Sequence, residues 1–399
     1  IMLNKNNWIH DIQERIKEVP ISSGRSNKLG RISFDDLVFV PAQLAKKPID
    51  YFKEKISSKT IIGKNSKKPI EIETPIVFGA MSFGALSKEA KVALAKASTL
   101  AGTIANTGEG GMLPEERENA KYLTIQYSTG RFGISEEILK KADAIEIKIG
   151  QGAKPGQGGL LPAYKLTEEI AQIRKVPEGK DLHSPAYHPD INNIDDLREK
   201  VKWLREITDG VPIIIKLGAP GREEDIRLAV QADPDIIAID GMEGGTGAAP
   251  EIMLNDVGIP TLACLSATRR VLDEIGTRQE LWIGGGLSKG ADFAKALALG
   301  ADAVFCATPL LIAMGCVYCK QCWRGKCPKG IATQEKQLRN LDIDQAANNV
   351  ANYIKHCTEE IKMVAGACGE NDIHKLNKEH LRALSQEIST ITGIKLISQ

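Results

Sequence analysis

Eight short apolar runs recur between residues 74 and 307, most of them separated by a helical pattern. They are TPIVFG (74–79), GTIAN (102–106), YLTIQ (122–126), AIEIKIG (144–150), VPIIIKL (211–217), DIIAID (235–240), LWIGG (281–285) and AVFCA (303–307). Runs that stay apolar, rather than alternate, suit parallel strands buried on both faces. The helical stretches include LSKEAKVALAKASTL, IDDLREKVKWLREI and ACLSATRRVLDEIG, with Ser87 and Asp195 as expected N-caps. Eight alternations predict an α/β fold, the (β/α)8 TIM barrel. A doubly wound sheet is the alternative, although it usually stops at about five or six strands. The expected division is an N-terminal arm over 1–70, the barrel over 71–312, a cysteine loop over 313–334 and a helical extension over 335–399. That extension reads as two or three helices, in IDQAANNVANYIKHCTEEIKMVAG and NKEHLRALSQEISTI.

Composition narrows the function classes. Of 399 residues, 26% are charged, yet the net charge is only +1. No global basic field draws the chain to nucleic acid or an anionic membrane, and 5% aromatics argue against base-stacking platforms. No apolar run approaches the roughly 18 residues of a membrane span. The opening stretch IMLNKNNWIHDIQERIKEV lacks the apolar core of a signal peptide. Cys264, Cys306, Cys357 and Cys368 are scattered, as expected of reduced thiols, and the expected compartment is the cytoplasm.

The other four cysteines are clustered. Cys316, Cys319, Cys322 and Cys327 lie in GCVYCKQCWRGKCPKG, spaced C-x2-C-x2-C-x4-C and followed at once by Pro328. Thiolates so closely spaced, ending in Cys-Pro, favour an iron–sulfur cluster. A closed four-cysteine zinc site is the next possibility, and incidental reduced cysteines are the plain alternative.

The segments after the expected strands are chemically rich: GAMSFGALS, NTGEGGM, GQGAKPGQGGLLP, GMEGGTGAAP and GGLSKG. In a barrel they share the C-terminal face, where active sites are built. The long Gly- and Pro-marked insertion 151–193 reads as a functional loop. Gly284, Gly285, Gly286, Ala307 and Thr308 follow strands seven and eight, where barrels often bind phosphate; otherwise they are tight turns. Lys148 and Lys216 close apolar strands, so each either stabilises negative charge in the site or pairs with Glu109 or Asp240. Arg131, Lys154 and Arg174 could converge on a dicarboxylate, although each alone is more often a solvated surface charge. Glu109, between glycines, suits acid–base work. His188 is either a proton donor or structural.

Taken together, FGAMSFGALSKEA, NTGEGG, STGRFGI, IEIKIGQGAKPGQGG, SPAYHPDI, GGTGAAP and the cysteine loop with GIATQ resemble the central, flavin-binding region of glutamate synthase. The resemblance spans roughly residues 70–390 in family order. It implies an FMN- and iron–sulfur-containing barrel that converts 2-oxoglutarate and ammonia to glutamate through 2-iminoglutarate. Ala80, Met81 and Ser82 would line the flavin ring, and Thr107, Gln126 and Lys216 would meet its polar edge. Gly244, Gly245 and Gly247 would join the cofactor set, with Gly285, Gly286, Ala307 and Thr308 at the phosphate. Arg131, Gln151, Lys154 and Arg174 would bind substrate. Glu109, Lys148 and Lys154 would serve catalysis, with Lys148 also meeting flavin.

Three departures qualify the resemblance. The family loop usually supplies three cysteines to a 3Fe-4S cluster, matching Cys316, Cys322 and Cys327; the extra Cys319 leaves a 4Fe-4S cluster open. Where the family reads KPGEGGQLP this chain has KPGQGGLLP, placing Leu160 where a glutamine is expected and Gln157 where an acid is expected. N-Methylglutamate synthesis from methylamine therefore stays open, as does a flavin–cluster relay role. No cysteine precedes Cys264, so ammonia is expected from solution or from a separate glutaminase (amidotransferase) subunit. A ferredoxin or NAD(P)H-linked subunit is the expected electron donor, and the chain is expected to work as an oligomer.

Overall fold

The computed structural model describes residues 18–26 and 32–399, together with residues 9, 12, 13, 15 and 16. Its centre is an eight-stranded parallel barrel: β1 (Ile76–Phe78), β2 (Ile104–Asn106), β3 (Tyr122–Tyr127), β4 (Ala144–Lys148), β5 (Ile213–Gly218), β6 (Ile236–Asp240), β7 (Glu280–Gly284) and β8 (Ala303–Cys306). All eight apolar runs became strands. The hydrogen-bonded ladder runs from β1 through β8, β7, β6, β5, β4 and β3 to β2. The remaining seam is bridged at its base. There Glu73 N–H donates to Gly102 O (2.8 Å) and the Thr103 hydroxyl donates to Ile76 O (2.7 Å).

Alternate strand residues point to opposite faces. Ile145, Ile147, Ile213, Ile215, Ile237 and Ile239 belong to the large core between strands and helices. Ala144, Ile214, Ile236, Ala238 and Trp282 form a second cluster with Ile62, Ile70 and Ile72. Those last three come from the antiparallel hairpin Thr60–Ile62 and Ile70–Ile72, which plugs the N-terminal end of the barrel. Burying each such side chain contributes about 1.5–3 kcal/mol. The open mouth is therefore the opposite, C-terminal end.

Ser87 caps the helix Lys88–Ala101 as expected, accepting from Ala90 N–H. The cap expected at Asp195 lies two residues earlier. The Asn193 side chain accepts from Asp195 N–H and Asp196 N–H, leaving Asp195 in the first turn of Ile194–Ile207, where its charge suits the helix dipole. The helix Ile343–Ala367 packs against both Lys88–Ala101 and Gly290–Ala298, in the place of an eighth barrel helix. NKEHLRALSQEISTI is not one helix. Leu381–Ala383 pairs antiparallel with Leu37–Phe39, burying Leu381 and Ala383 on one face, and Ser385 then caps the helix Gln386–Thr392. Among the described residues no helix is long and apolar enough to cross a membrane.

Candidate active site

One cavity opens at the mouth, and strand ends supply its floor. Ala144, Glu146 and Lys148 alternate inward on β4, and Lys216 does so on β5. Glu146, buried, accepts from Lys216 Nζ (2.6 Å), Gln126 Nε2 (2.5 Å) and Asn106 Nδ2 (3.2 Å). The carboxylate thereby fixes an ammonium and an amide that both face the cavity. Lys91, from the helix Lys88–Ala101, stitches the loops after β1 and β2. Its ammonium donates to Met81 O, Asn106 O (3.1 Å) and Thr107 O (3.0 Å) and pairs with Glu116 at 2.8 Å.

Above the floor Glu109 lies 3.1 Å from Lys148 Nζ and accepts from the Ser184 hydroxyl. Burial would raise its carboxyl, but Lys148, Ser184 and Arg174 outweigh that and hold it at about 2. At neutral pH Glu109 is a fixed carboxylate. Two glycines make room here. A Cβ on Gly110 would lie 2.5 Å from the Arg174 guanidinium carbon, and one on Gly159 would lie 2.8 Å from Glu109 Oε2.

The insertion 151–193 brings in the cations. Arg174, in the short helix Glu168–Arg174, is 4% exposed, and burial lowers it to about 10. Its Nη2 donates to Phe83 O at 2.7 Å, whereas its buried Nε has no partner. Lys154 donates to Ala248 O at 3.2 Å. Burial, reinforced by Lys148 and opposed by Glu109, lowers its ammonium to about 8. Gln151 and Leu160 complete this wall.

The loops after β6, β7 and β8 line the other end through Gly244, Gly245, Gly247, Gly285, Gly286, Ala307 and Thr308. Gly285 and Gly286 have φ of +109° and +81°, the left-handed range that glycine tolerates best. The cysteine loop closes the cavity. Cys316, Cys319, Cys322 and Cys327 all line it and all are free thiols, Cys319 exposed and Cys327 buried. Tyr318 and Lys320, on either side of Cys319, hold φ of +53° and +56°. Burial and then the neighbouring cysteines push Cys322 up to about 11, against the pull of Lys165. Lys165 itself donates to Cys322 O. Among the described residues no three His, Cys, Asp or Glu side chains converge on a single-ion site. The donor set on this wall is four thiols.

Ala80, Met81, Ser82, Glu109, Gln126, Lys148, Gln151, Lys154, Arg174 and Lys216 thus face one space with the glycine loops and the cysteines. Thr107 and Arg131 do not line it. Thr107 sits behind Gln126, its hydroxyl accepting from Gln126 N–H at 3.1 Å. Arg131 stacks over the Tyr127 ring at 3.7 Å and bonds to His188 Nδ1 (2.6 Å) and Asp190 (2.5 Å). Because a guanidinium only donates, His188 Nδ1 accepts and its Nε2–H donates to Lys148 O (2.7 Å). Burial, then Arg131, lowers His188 to about 4, so it is a neutral brace for the Lys148 backbone. Glu146, Ser184, Lys91 and Lys165 escaped the sequence reading. Glu146 left a signal, a charge two positions before Lys148 and hence on the same strand face, and Ser184 opens the SPAYHPDI segment.

Known proteins resemble this chain in sequence and in fold. Residues 4–371 match the family described as the conserved region in glutamate synthase. A glutamate synthase large subunit-like protein of Rhizobium meliloti is 41% identical over 91% of this chain and 87% of its own length. An archaeal glutamate synthase (NADPH) of Methanocaldococcus jannaschii is 40% identical over 94% of this chain and 80% of its own. Similar solved structures include a flavocytochrome b2 variant with sulfite bound (TM-score 0.60, 17% identity, 93% of this chain and 82% of that one). A mandelate oxidase variant with the monooxide FMN adduct is another (TM-score 0.57, 16% identity, 89% and 93%). At such identity these structures speak for the barrel fold alone. The relatives and the matched region together establish that this chain belongs to the glutamate synthase family.

Proposed function

We propose that the cavity holds FMN and an iron–sulfur cluster and carries out reductive amination of 2-oxoglutarate with ammonia to L-glutamate, through 2-iminoglutarate. The observation that carries this reading is the meeting of Lys148, Lys154 and Arg174 around Glu109, in a space also lined by the glycine loops and four thiols. Support for the reaction comes from relatives named as glutamate synthases (NADPH). Support for the flavin comes from the FMN adduct in a barrel of the same fold. An all-thiol donor set suits an iron–sulfur cluster. When bound, reduced FMN supplies the hydride and the cluster supplies single electrons.

The residues divide the work by charge. Arg174, whose buried Nε lacks a partner, would grip a substrate carboxylate, with Lys148 neutralising further negative charge. Lys154, held at about 8, is mostly protonated at neutral pH yet able to give up its proton, which suits general-acid delivery to the nitrogen of the imine. Glu109, ionised throughout the physiological range, orients Lys148 and attracts the ammonium or iminium. Gln126 and Lys216, fixed by Glu146, would meet the flavin's polar edge. In the cell a separate glutaminase subunit would supply ammonia and a ferredoxin or NAD(P)H-linked subunit would supply electrons, within a cytoplasmic oligomer.

Leu160 supports a second reading. It is 37% exposed, faces the cavity and follows Gly159, which lies against Glu109. An apolar group there would welcome the methyl of methylammonium, giving N-methylglutamate. Anaerobic incubation of the reduced protein with 2-oxoglutarate and equal ¹⁵N-ammonium and methylammonium, followed by mass spectrometry, tests both readings. Labelled glutamate supports the first and N-methylglutamate the second. Neither product, with electrons still passing from flavin to cluster, would overturn both in favour of a relay subunit.

A further inference from the structure

Arg25 belongs to none of the motifs after the strands, yet it stands at the cavity beside the glycine loops. It follows the strand Ile21–Gly24, which crosses the barrel mouth and pairs antiparallel with Thr246–Pro250. Ser22 lies opposite Ala249 and Gly24 opposite Thr246, with the register broken between them. Such a break re-aims the chain, and Gly24 takes up the change at φ +100°. The strand is fastened on both sides. The Ser23 hydroxyl donates to Gly247 O (2.6 Å) and accepts from Trp323 N–H (3.0 Å). Arg25 N–H donates to the Tyr318 hydroxyl at 3.2 Å. The segment is thus tied both to the loop after β6 and to the cysteine loop.

The Arg25 side chain runs toward the other glycines. Its Nη1 donates to Gly286 O at 3.0 Å. A Cβ placed on Gly286 would lie 3.7 Å from that nitrogen, and one on Gly245 would lie 3.8 Å from Arg25 Cγ. The half-buried Glu243 is a carboxylate on which the Arg25 charge acts. It is already engaged by Thr261 N–H (2.7 Å) and the Thr261 hydroxyl (2.5 Å). A guanidinium with one N–H on a loop carbonyl keeps further donors in a fixed plane for a second acceptor.

Resting on the flavin reading above, we infer that Arg25 binds the phosphate monoester of FMN, supplying the cation at the end of the cavity formed by the loops after β6, β7 and β8. Backbone N–H groups of glycine loops cradle phosphate oxygens, and a forked guanidinium adds charge-assisted hydrogen bonds to them. The N-terminal segment is then part of the cofactor site, and it mechanically joins the phosphate end to the cysteine loop through Tyr318 and Trp323.

The test compares FMN with riboflavin, which lacks the phosphate, on flavin-stripped full-length protein, with dissociation constants read from flavin fluorescence. For Arg25→Ala the expected result is about 10- to 100-fold weaker FMN binding, the range for loss of a charge-assisted contact, with riboflavin binding unchanged. Unchanged riboflavin binding also shows that the variant is folded. Arg25→Lys should recover part of the loss, because the charge remains but the fork does not. FMN affinity within 2-fold of the parent, or equal losses for both flavins, would overturn the assignment and leave the proposed reaction standing. A parent protein that binds neither flavin would overturn both.

Discussion

Replacing Lys148 by Met strips the Glu109 carboxylate of its closest cation. The pair stands at 3.1 Å with side chains 12% and 11% exposed. Holding Glu109 at about 2, rather than its ordinary 4.5, corresponds to about 3 kcal/mol in favour of the charged form. Lys148 supplies both the largest opposing charge and a hydrogen bond, so most of that is lost in the variant. An uncompensated buried charge is costly in its own right. The expected loss at pH 7 is about 2–3 kcal/mol of unfolding free energy. In a Glu109→Gln background the same substitution leaves no stranded charge, so a double-mutant cycle should give a coupling of at least about 1.5 kcal/mol. The sign with pH is fixed by the direction of the displacement. A carboxyl held low in the fold contributes fully above about 4.5, and its contribution is lost as pH falls toward about 2. Urea unfolding of the four proteins should therefore show a gap between parent and K148M that is full at pH 7 and narrows below about pH 4.5. A coupling below about 0.5 kcal/mol, or a gap that does not narrow, would refute the ion-pair account of this site.

Other consequences can be checked separately. With Lys154 at about 8, turnover should fall above about pH 8 along a single ionisation. Lys154→Arg keeps the charge but cannot release a proton, so turnover should fall by about 10²-fold or more at every pH; parental turnover with the limb intact would acquit Lys154. Leu160→Gln should raise the preference for ammonium over methylammonium about 10-fold, the low end of the scale for one methyl contact, read from paired competition assays. Cys319 is exposed whereas Cys316 and Cys322 are half-buried and Cys327 buried. Cys319→Ser should then keep the iron and the visible cluster absorbance that Cys322→Ser loses, and equal loss in both would make Cys319 a ligand.

The barrel was legible because each strand is short, apolar and followed by its own helix or loop, a pattern that needs no distant partner to recognise. The cap at Asn193 was missed because Asn193 and Asp195 both suit an N-cap, and only the backbone tells which side chain reaches the free N–H groups. The break in 377–391 was missed because the strand Leu381–Ala383 depends on Leu37–Phe39, more than 300 residues away. At the site, motif glycines and strand-end lysines announced themselves. Arg131 carried the same kind of signal, yet its charge is taken up by Tyr127, His188 and Asp190 outside the cavity. Lys91 and Arg25 belong to no motif and act through contacts made at long range, and Ser184, although it opens the SPAYHPDI segment, meets Glu109 only across 75 residues of chain.

The most direct test of the central claim is anaerobic stopped-flow spectroscopy of the photoreduced protein. It is mixed with 2-oxoglutarate alone, with ammonium alone and with both. The account predicts rapid return of oxidised flavin absorbance only when both substrates are present, with glutamate formed in matching amount. Flavin that stays reduced under all three conditions, or reoxidises equally with either substrate alone, would contradict it.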